Sequence, residues 1–323
     1  MSKAIIFRET GGPDVLRWEE WPVKKPGAGE VRLRHTAVGL NFIDVYQRTG
    51  LYPLALPAVL GQEGAGVVEE VGADVTELKV GDRVAYAGLM GGYSEERLAP
   101  AARLVKLPDE IADEQAAAMM LKGLTAEYLL RRTYPVRAGE TVLIHSAAGG
   151  VGLIACQWAK RLGARVIGTV GSDEKAKLAA AHGCDHPIVT SREDFVARVR
   201  ELTFGRKLPV VYDSVGKDTF AGSLDCLAPR GTLVLFGQSS GKVPPFDPGL
   251  LGTKGSLYLT RPSLGAYIAS RDELVAASSA LFDAVRAGVK VNVNQRYPLR
   301  EAAQAHRDLE ARKTTGSTVL TVG

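Results

Sequence analysis

The sequence predicts an α/β protein of two domains: a doubly wound parallel sheet, and a β-rich domain built from both chain ends. Three observations predict it. Strand-like and helix-like segments alternate from residue 141 to residue 259. A glycine-rich turn joins the first of those strands to an amphipathic helix. Roughly the first 105 residues read as short strands broken by Gly and Pro.

The chain has 323 residues, 46% apolar and 24% charged. Those fractions are near the soluble globular average, exclude a disordered chain and allow a large core. The formal net charge is +4, and the isoelectric point is about 8.9. Over this length the excess is too mild to suggest a nucleic-acid binder. Glycine is the outlier: 36 residues, about 11% against roughly 7% typically, which implies tight turns or close backbone approaches. Cys156, Cys184 and Cys226 are widely spaced and form no CxxC pair. Neither a disulfide framework nor a thiol-rich metal site is expected, and the expected compartment is a reducing cytoplasm. The apolar run Ala4–Phe7 is too short for a signal peptide, and no stretch approaches the roughly 20 apolar residues of a membrane span.

In order along the chain, Glu30–Leu40 alternates apolar and polar residues in its first half and reads as a strand. Val67–Val71 and Asp82–Ala87 are strand-like, with Gly81-Asp82 as a turn signal. The Ala-, Leu- and Met-rich stretch Glu114–Thr133 is a good helix former. The alternation follows. Strands are expected at Thr141–Ser146, Ala164–Val170, Pro187–Val189, Val210–Asp213, Thr232–Phe236 and Ser256–Leu259. Helices are expected at Gly150–Leu162, Glu174–Ala181, Glu193–Leu202 and Thr219–Leu227. Such alternation implies βαβ units and a parallel sheet, and six strands is the count of a dinucleotide fold. Leu274, Ala277, Leu281 and Val285 make one apolar stripe on a helix over Glu273–Ala287, and a last strand is expected at Ser317–Val322. The expected boundaries are 1–123 with 265–323 for the β-rich domain and 124–264 for the cofactor domain.

The strongest local signal is Thr141–Gly152, TVLIHSAAGGVG. A strand runs into a glycine turn and a helix whose Val151, Ile154, Ala155, Trp158 and Leu162 share one face. That context is the one a dinucleotide fingerprint needs, because the backbone N–H groups and the helix dipole face the pyrophosphate. Gly149 admits the phosphates, Gly152 lets helix and strand pack, and Ala147 stands where the first glycine of GxGxxG belongs. The second strand ends in Val170 rather than in Asp or Glu, followed by Gly171 and Ser172, with Lys175 and Lys177 in the next helix. A hydroxyl, free N–H groups and cations suit a 2′-phosphate, so NADPH is the expected cofactor. Asp173 and Glu174 oppose a phosphate unless they turn away.

Gly39–Asp44 (GLNFID), Gly61–Val68 (GQEGAGVV) and the domain order resemble the medium-chain dehydrogenase/reductase family. Its zinc alcohol dehydrogenases carry a ligand Cys in the first segment and a ligand His in the second. Here Asn41 and Gln62 stand there, and amides are poor zinc ligands. No metal is expected. The chain is more similar to the zinc-free quinone oxidoreductase branch, which includes zeta-crystallin. The matching stretches are NFIDVY (41–46), GLYP (50–53), LKGLT (121–125), AAGGVGLIACQW (147–158), VYDSVG (211–216), FGQSSG (236–241) and LTRPSL (259–264). The resemblance implies a GroES-like β-rich substrate domain and a Rossmann cofactor domain. It implies that Phe42, Ile43, Asp44, Val45, Tyr46 and Tyr128 flank the nicotinamide half. Gly149, Gly150 and Val151 would hold the pyrophosphate, and Gly171, Ser172 and Lys175 the 2′-phosphate. Phe236, Gly237, Gln238, Ser239, Ser240, Pro262, Ser263, Leu264 and Thr315 would close over the nicotinamide ribose. Thr190 stands near the adenine ribose phosphate, where relatives often have Tyr.

A quinone is already electrophilic, so hydride transfer to it needs positioning and exclusion of water more than an activating metal. Asn41 is expected to donate to the substrate oxygen, its plainer role being a turn residue. Tyr46 and Tyr52 are expected to line an aromatic slot with a hydroxyl as proton donor, their plainer role being packing. The strand Gly255–Thr260 ends the cofactor sheet and is expected to pair with its copy in a homodimer. Two other readings stand beside the quinone reductase: an NADPH-dependent enal or enone reductase, and an RNA-binding or structural role of the zeta-crystallin kind.

Overall fold

A computed structural model describes residues 2–323. The chain divides into two compact units: Met1–Leu124 with Ile268–Phe282 and Val291–Gly323, and Thr125–Tyr267 with Asp283–Lys290. The segment 283–290, expected in the β-rich domain, goes with the second unit. There Gln157 holds it by two bonds: its Nε2 donates to the Lys290 carbonyl at 3.0 Å, and Lys290 N donates to its Oε1 at 2.8 Å.

The first unit opens with β1 (Lys3–Phe7), β2 (Arg17–Glu20), β3 (Glu30–Leu40), α1 (Phe42–Arg48), β4 (Ala58–Val59) and β5 (Glu63–Val71). It continues with β6 (Arg83–Ala87), β7 (Glu96–Pro100), β8 (Val105–Lys106) and the start of α2 (Asp113–Tyr128). Strand β3 is the centre: β5 and β7 pair with it antiparallel. Its burial alternates over the first half and becomes continuous near α1. One face of the strand is therefore wet only where its sequence is polar. Val31, Leu33, Val68, Val84, Tyr86 and Leu104 form one core of this unit. Phe7, Val38, Leu60, Tyr93, Leu299 and Leu320 belong to a second. The helix expected over Glu114–Thr133 is α-helical to Tyr128 and then widens to a π-turn over Leu129–Thr133. Pro135 follows Tyr134 and disfavours helical geometry there.

The second unit holds β9 (Thr141–Ile144), α3 (Gly150–Arg161), β10 (Arg165–Val170), α4 (Asp173–Ala180), β11 (His186–Val189) and α5 (Phe195–Leu202). It goes on with β12 (Leu208–Asp213), α6 (Phe220–Asp225), β13 (Leu227–Leu235), α7 (Gly249–Thr253), β14 (Tyr258–Thr260) and α8 (Leu264–Tyr267). The six strands lie in the order β11-β10-β9-β12-β13-β14, all parallel. That is the doubly wound order of dinucleotide folds. Leu143, Ile167, Ile188, Val211 and Leu233 fill its core. The helix stripe is shifted from expectation: Leu153, Ile154, Ala155 and Trp158 are buried, while Val151 and Leu162 are half-buried.

The tail supplies α9 (Arg271–Arg286), β15 (Val293–Pro298), α10 (Ala302–Glu310) and β16 (Ser317–Thr321). Strand β16 pairs antiparallel with β3, so both chain ends build the first unit as expected. Among the described residues no helix is long and apolar enough to cross a membrane.

Candidate active site

In the second unit five expected cofactor segments each follow a strand of one parallel sheet, and Tyr128 lies at the end of α2. The glycine turn follows β9, Gly171–Lys175 follow β10, Thr190 follows β11, Phe236–Ser240 follow β13, and Pro262–Leu264 follow β14. The segments therefore share the carboxyl edge, where open α/β sheets bind ligands. Ser146 takes a left-handed φ of 55° as the chain leaves β9. No side chain caps the N-terminus of α3, so its first N–H groups remain for an anion. A Cβ on Gly152 would sit 2.3 Å from the Ser146 carbonyl oxygen, so only glycine lets helix and turn pack.

The neighbouring loops are held by their own bonds. Ser172 caps α4 through Lys175 N at 3.4 Å. Asp173 pairs with Arg192 at 2.7 Å on the surface. The Thr190 hydroxyl donates to the Val170 carbonyl at 3.1 Å and so ties the ends of β10 and β11. Asp213 accepts from Val215 N at 2.8 Å and Gly216 N at 3.0 Å, and from the Ser223 hydroxyl at 2.8 Å. His145 bridges Ser223 at 3.0 Å and Thr169 at 2.8 Å. Burial lowers its pKa, so it is a neutral structural histidine beneath the nucleotide edge. Ser240 donates to the Val215 carbonyl at 2.8 Å, lacing the β13 loop to the β12 loop. Tyr128 stacks on Tyr267 with centroids 4.4 Å apart.

In the first unit the sequence-predicted Asn41, Phe42, Tyr46 and Tyr52 come together. Phe42 and Tyr46 lie 6.1 Å apart, Tyr46 and Tyr52 5.3 Å and edge-on. Asn41 Nδ2 donates to Glu63 Oε1 at 2.9 Å. The same oxygen accepts from the Lys122 ammonium. Glu63 Oε2 accepts from Leu121 N at 2.7 Å. Gly39 leaves the space: a Cβ there would lie 2.2 Å from Glu63 Oε1.

Asp44 and Val45, expected beside the nicotinamide, are buried at 0% and 6% exposure. Asp44 Oδ2 accepts from Asn41 N at 2.9 Å and from the Tyr93 hydroxyl at 3.0 Å, so the carboxyl starts α1. Its Oδ1 is buried with no partner, and burial raises the pKa to about 7. Behind Tyr93 lies His306, with Nε2 at 3.1 Å, and its Nδ1 is 3.1 Å from Arg48. A guanidinium only donates, so Nδ1 accepts and Nε2 carries the proton toward Tyr93. Arg48 also binds Glu310 at 2.8 and 2.9 Å, clamping α1 to α10.

A family model described as "Zinc-binding dehydrogenase" matches residues 150–277, and one described as "Alcohol dehydrogenase GroES-like domain" matches residues 27–109. A quinone oxidoreductase of Pseudomonas aeruginosa is 57% identical over 323 residues, 99% of each chain. The chain belongs to the quinone oxidoreductases of the medium-chain dehydrogenase/reductase family. The crystal structure of Escherichia coli quinone oxidoreductase complexed with NADPH matches with a TM-score of 0.97 and 50% identity, over 99% of this chain and 100% of that one. A 2-haloacrylate reductase of a Burkholderia species is 50% identical over 99% of each chain.

This quinone oxidoreductase has donor chemistry that does not fit the zinc named in the family description. Asn41 spends an amide N–H on Glu63, and Glu63 also holds a lysine ammonium. Among the described residues no three His, Cys, Asp or Glu side chains lie together to hold a metal ion. Sequence reasoning missed Glu63, Tyr93, Lys122, Arg48 and His306. The signal for Lys122 was a lone cation in an otherwise apolar helix, AAAMMLKGL.

Proposed function

We infer that this chain is an NADPH-dependent quinone oxidoreductase that moves hydride to a quinone without a metal. The observation that carries it is the end-to-end likeness to a quinone oxidoreductase solved with NADPH, at a TM-score of 0.97 and 50% identity. The uncapped start of α3 and the close Gly152 packing fit the pyrophosphate of that cofactor. Gly149, Gly150 and Val151 hold the pyrophosphate, and Gly171, Ser172 and Lys175 hold the 2′-phosphate. Thr190 orders the ends of the adenosine strands. In the second unit Tyr128, with Phe236–Ser240 and Pro262–Leu264, shields the nicotinamide half from water. Bound NADPH supplies the hydride. The aromatic group of Phe42, Tyr46 and Tyr52 gives a planar acceptor a stacking surface. The remaining Asn41 amide hydrogen is available for a carbonyl oxygen.

The second reading, an α,β-unsaturated acceptor, is favoured by one observation: the 50% identity to a 2-haloacrylate reductase. NADPH consumption with 1,4-naphthoquinone, compared with an α,β-unsaturated aldehyde and with NADH as donor, decides. Turnover of naphthoquinone at least tenfold faster than of the enal supports the quinone reading, and the reverse order refutes it. Strand β14 pairs only with β13, and Tyr258 on it is 61% exposed. We place the homodimer contact there, and sedimentation showing only monomer at micromolar concentration removes it. Three buried, unpaired cysteines support a reducing, cytoplasmic setting.

A further inference from the structure

The most buried opposite-charge pair outside the nucleotide unit is Lys122–Glu63, with side chains 7% and 0% exposed. A buried ion pair is weak support for stability, because desolvation offsets the attraction. Its placement needs another reason, and its hydrogen-bond inventory supplies one. Glu63 is satisfied by three donors: Asn41 Nδ2, Lys122 Nζ and Leu121 N. Lys122 is not. An ammonium has three N–H groups, and Glu63 is its acceptor among the described residues. Asn41 likewise spends one of its two amide hydrogens on Glu63. Both donors sit on one oxygen, Oε1, within two hydrogen-bond lengths of each other. Two donors so anchored can converge on a third oxygen, as in an oxyanion site.

We propose that Lys122 and Asn41, both anchored on Glu63, form the oxyanion site of this enzyme, with the Lys122 ammonium bound to the acceptor's carbonyl oxygen. The proposal rests on the quinone-reductase reading and adds to it the group that takes the developing charge. Hydride adds two electrons and one hydrogen to the quinone, leaving a hydroquinone monoanion, and one solvent proton completes the hydroquinone. The ammonium stays protonated throughout and returns unchanged. It lies one hydrogen bond from the developing oxyanion, and the Glu63 carboxylate lies a bond further away. Attraction falls with distance, so the nearer cation prevails. A positive side chain thus shares its acceptor oxygen with Asn41, the residue that stands where the zinc relatives carry a ligand Cys. Glu63 is a positioning residue that fixes where the ammonium points.

The test reads ionisation rather than turnover. 4-Nitrophenol, a phenol that absorbs in the visible only when ionised, is titrated with pH while bound to the wild-type enzyme and free in solution. Bound at a cationic donor pair, its phenolate-to-phenol ratio should rise about tenfold or more. No binding, or an unchanged or lower ratio, overturns the proposal. Lys122→Met leaves Glu63 without its counter-charge, so the informative variant is Lys122→Met with Glu63→Gln, which removes both charges together. It should still bind NADPH, lose about 10²–10³-fold in kcat with naphthoquinone, and abolish the phenolate enrichment. Lys122→Arg should restore the enrichment. A double variant that keeps both kcat and the enrichment within twofold overturns the assignment. Wild-type enzyme that ionises the phenol but reduces no quinone instead refutes the quinone reading and leaves the oxyanion site standing.

Discussion

Replacing Asp44 with asparagine tests whether a buried carboxyl sets the pH dependence of this fold. In the folded protein the Asp44 pKa is raised from its ordinary 3.8 to about 7. Burial is the main cause, reinforced by an Oδ1 that has no partner. A raised folded pKa means that the stabilising protonated form is fully present below about pH 4 and is lost as pH rises through about 7. The difference is about 3 units, so by pH 8 the wild type has given up about 4 kcal/mol. The amide of Asp44→Asn keeps an oxygen for the Asn41 N–H and the Tyr93 hydroxyl. It also buries an NH₂ where Oδ1 has no partner, which costs about 1–3 kcal/mol. The expected net at pH 8 is a gain of about 1–3 kcal/mol over wild type. At pH 4 the gain vanishes and the variant is less stable. Guanidinium unfolding from pH 4 to 9, followed by fluorescence, measures both curves. His35 and His306, whose pKa values burial lowers to about 3, change stability in the opposite sense in both proteins. The comparison is therefore the difference between the curves. A difference that stays flat from pH 4 to 8 refutes the buried-acid account.

Three further outcomes are expected. Gly152→Ala places a Cβ 2.3 Å from the Ser146 carbonyl oxygen. It should lower stability by about 1–3 kcal/mol and weaken NADPH binding, read by thermal melting and fluorescence titration. Arg48→Met removes a side chain that is 1% exposed and holds Glu310, His306 and the Gly11 carbonyl. It should cost about 1–3 kcal/mol in chemical unfolding, because His306 and the Gly11 carbonyl lose a buried donor while Glu310, 34% exposed, is hydrated. Lys175→Ala should raise the Kd for NADPH about tenfold and leave that for NADH unchanged, since only the 2′-phosphate meets this cation.

Much of the fold was legible because its signals are local. Each strand from β9 to β14 and each helix from α3 to α6 begins and ends within about two residues of its expected place, save β13, which begins at Leu227 rather than Thr232. Apolar runs and glycine turns act over neighbouring residues and need no distant partner. Helix α1 was not read from the sequence: Phe42, Val45 and Tyr46 have helical spacing, but 7 residues are too short a run for periodicity to settle. It forms because Asp44 holds the Asn41 N–H while Arg48 is clamped to Glu310. Strand β15 and helix α10 were missed for the same reason. Strand β15 is held by β16, which in turn pairs with β3.

The residue sequence by itself determined the βα alternation, the glycine turn and the loss of zinc-binding side chains at Asn41 and Gln62. These depend on which residues stand next to which. Only the tertiary structure decided which groups surround Asn41. Asn41, Glu63 and Lys122 are separated by 22 and 59 residues, and Arg48 and His306 by 258. Polar groups that far apart along the chain become partners only when the core that excludes water has closed around them.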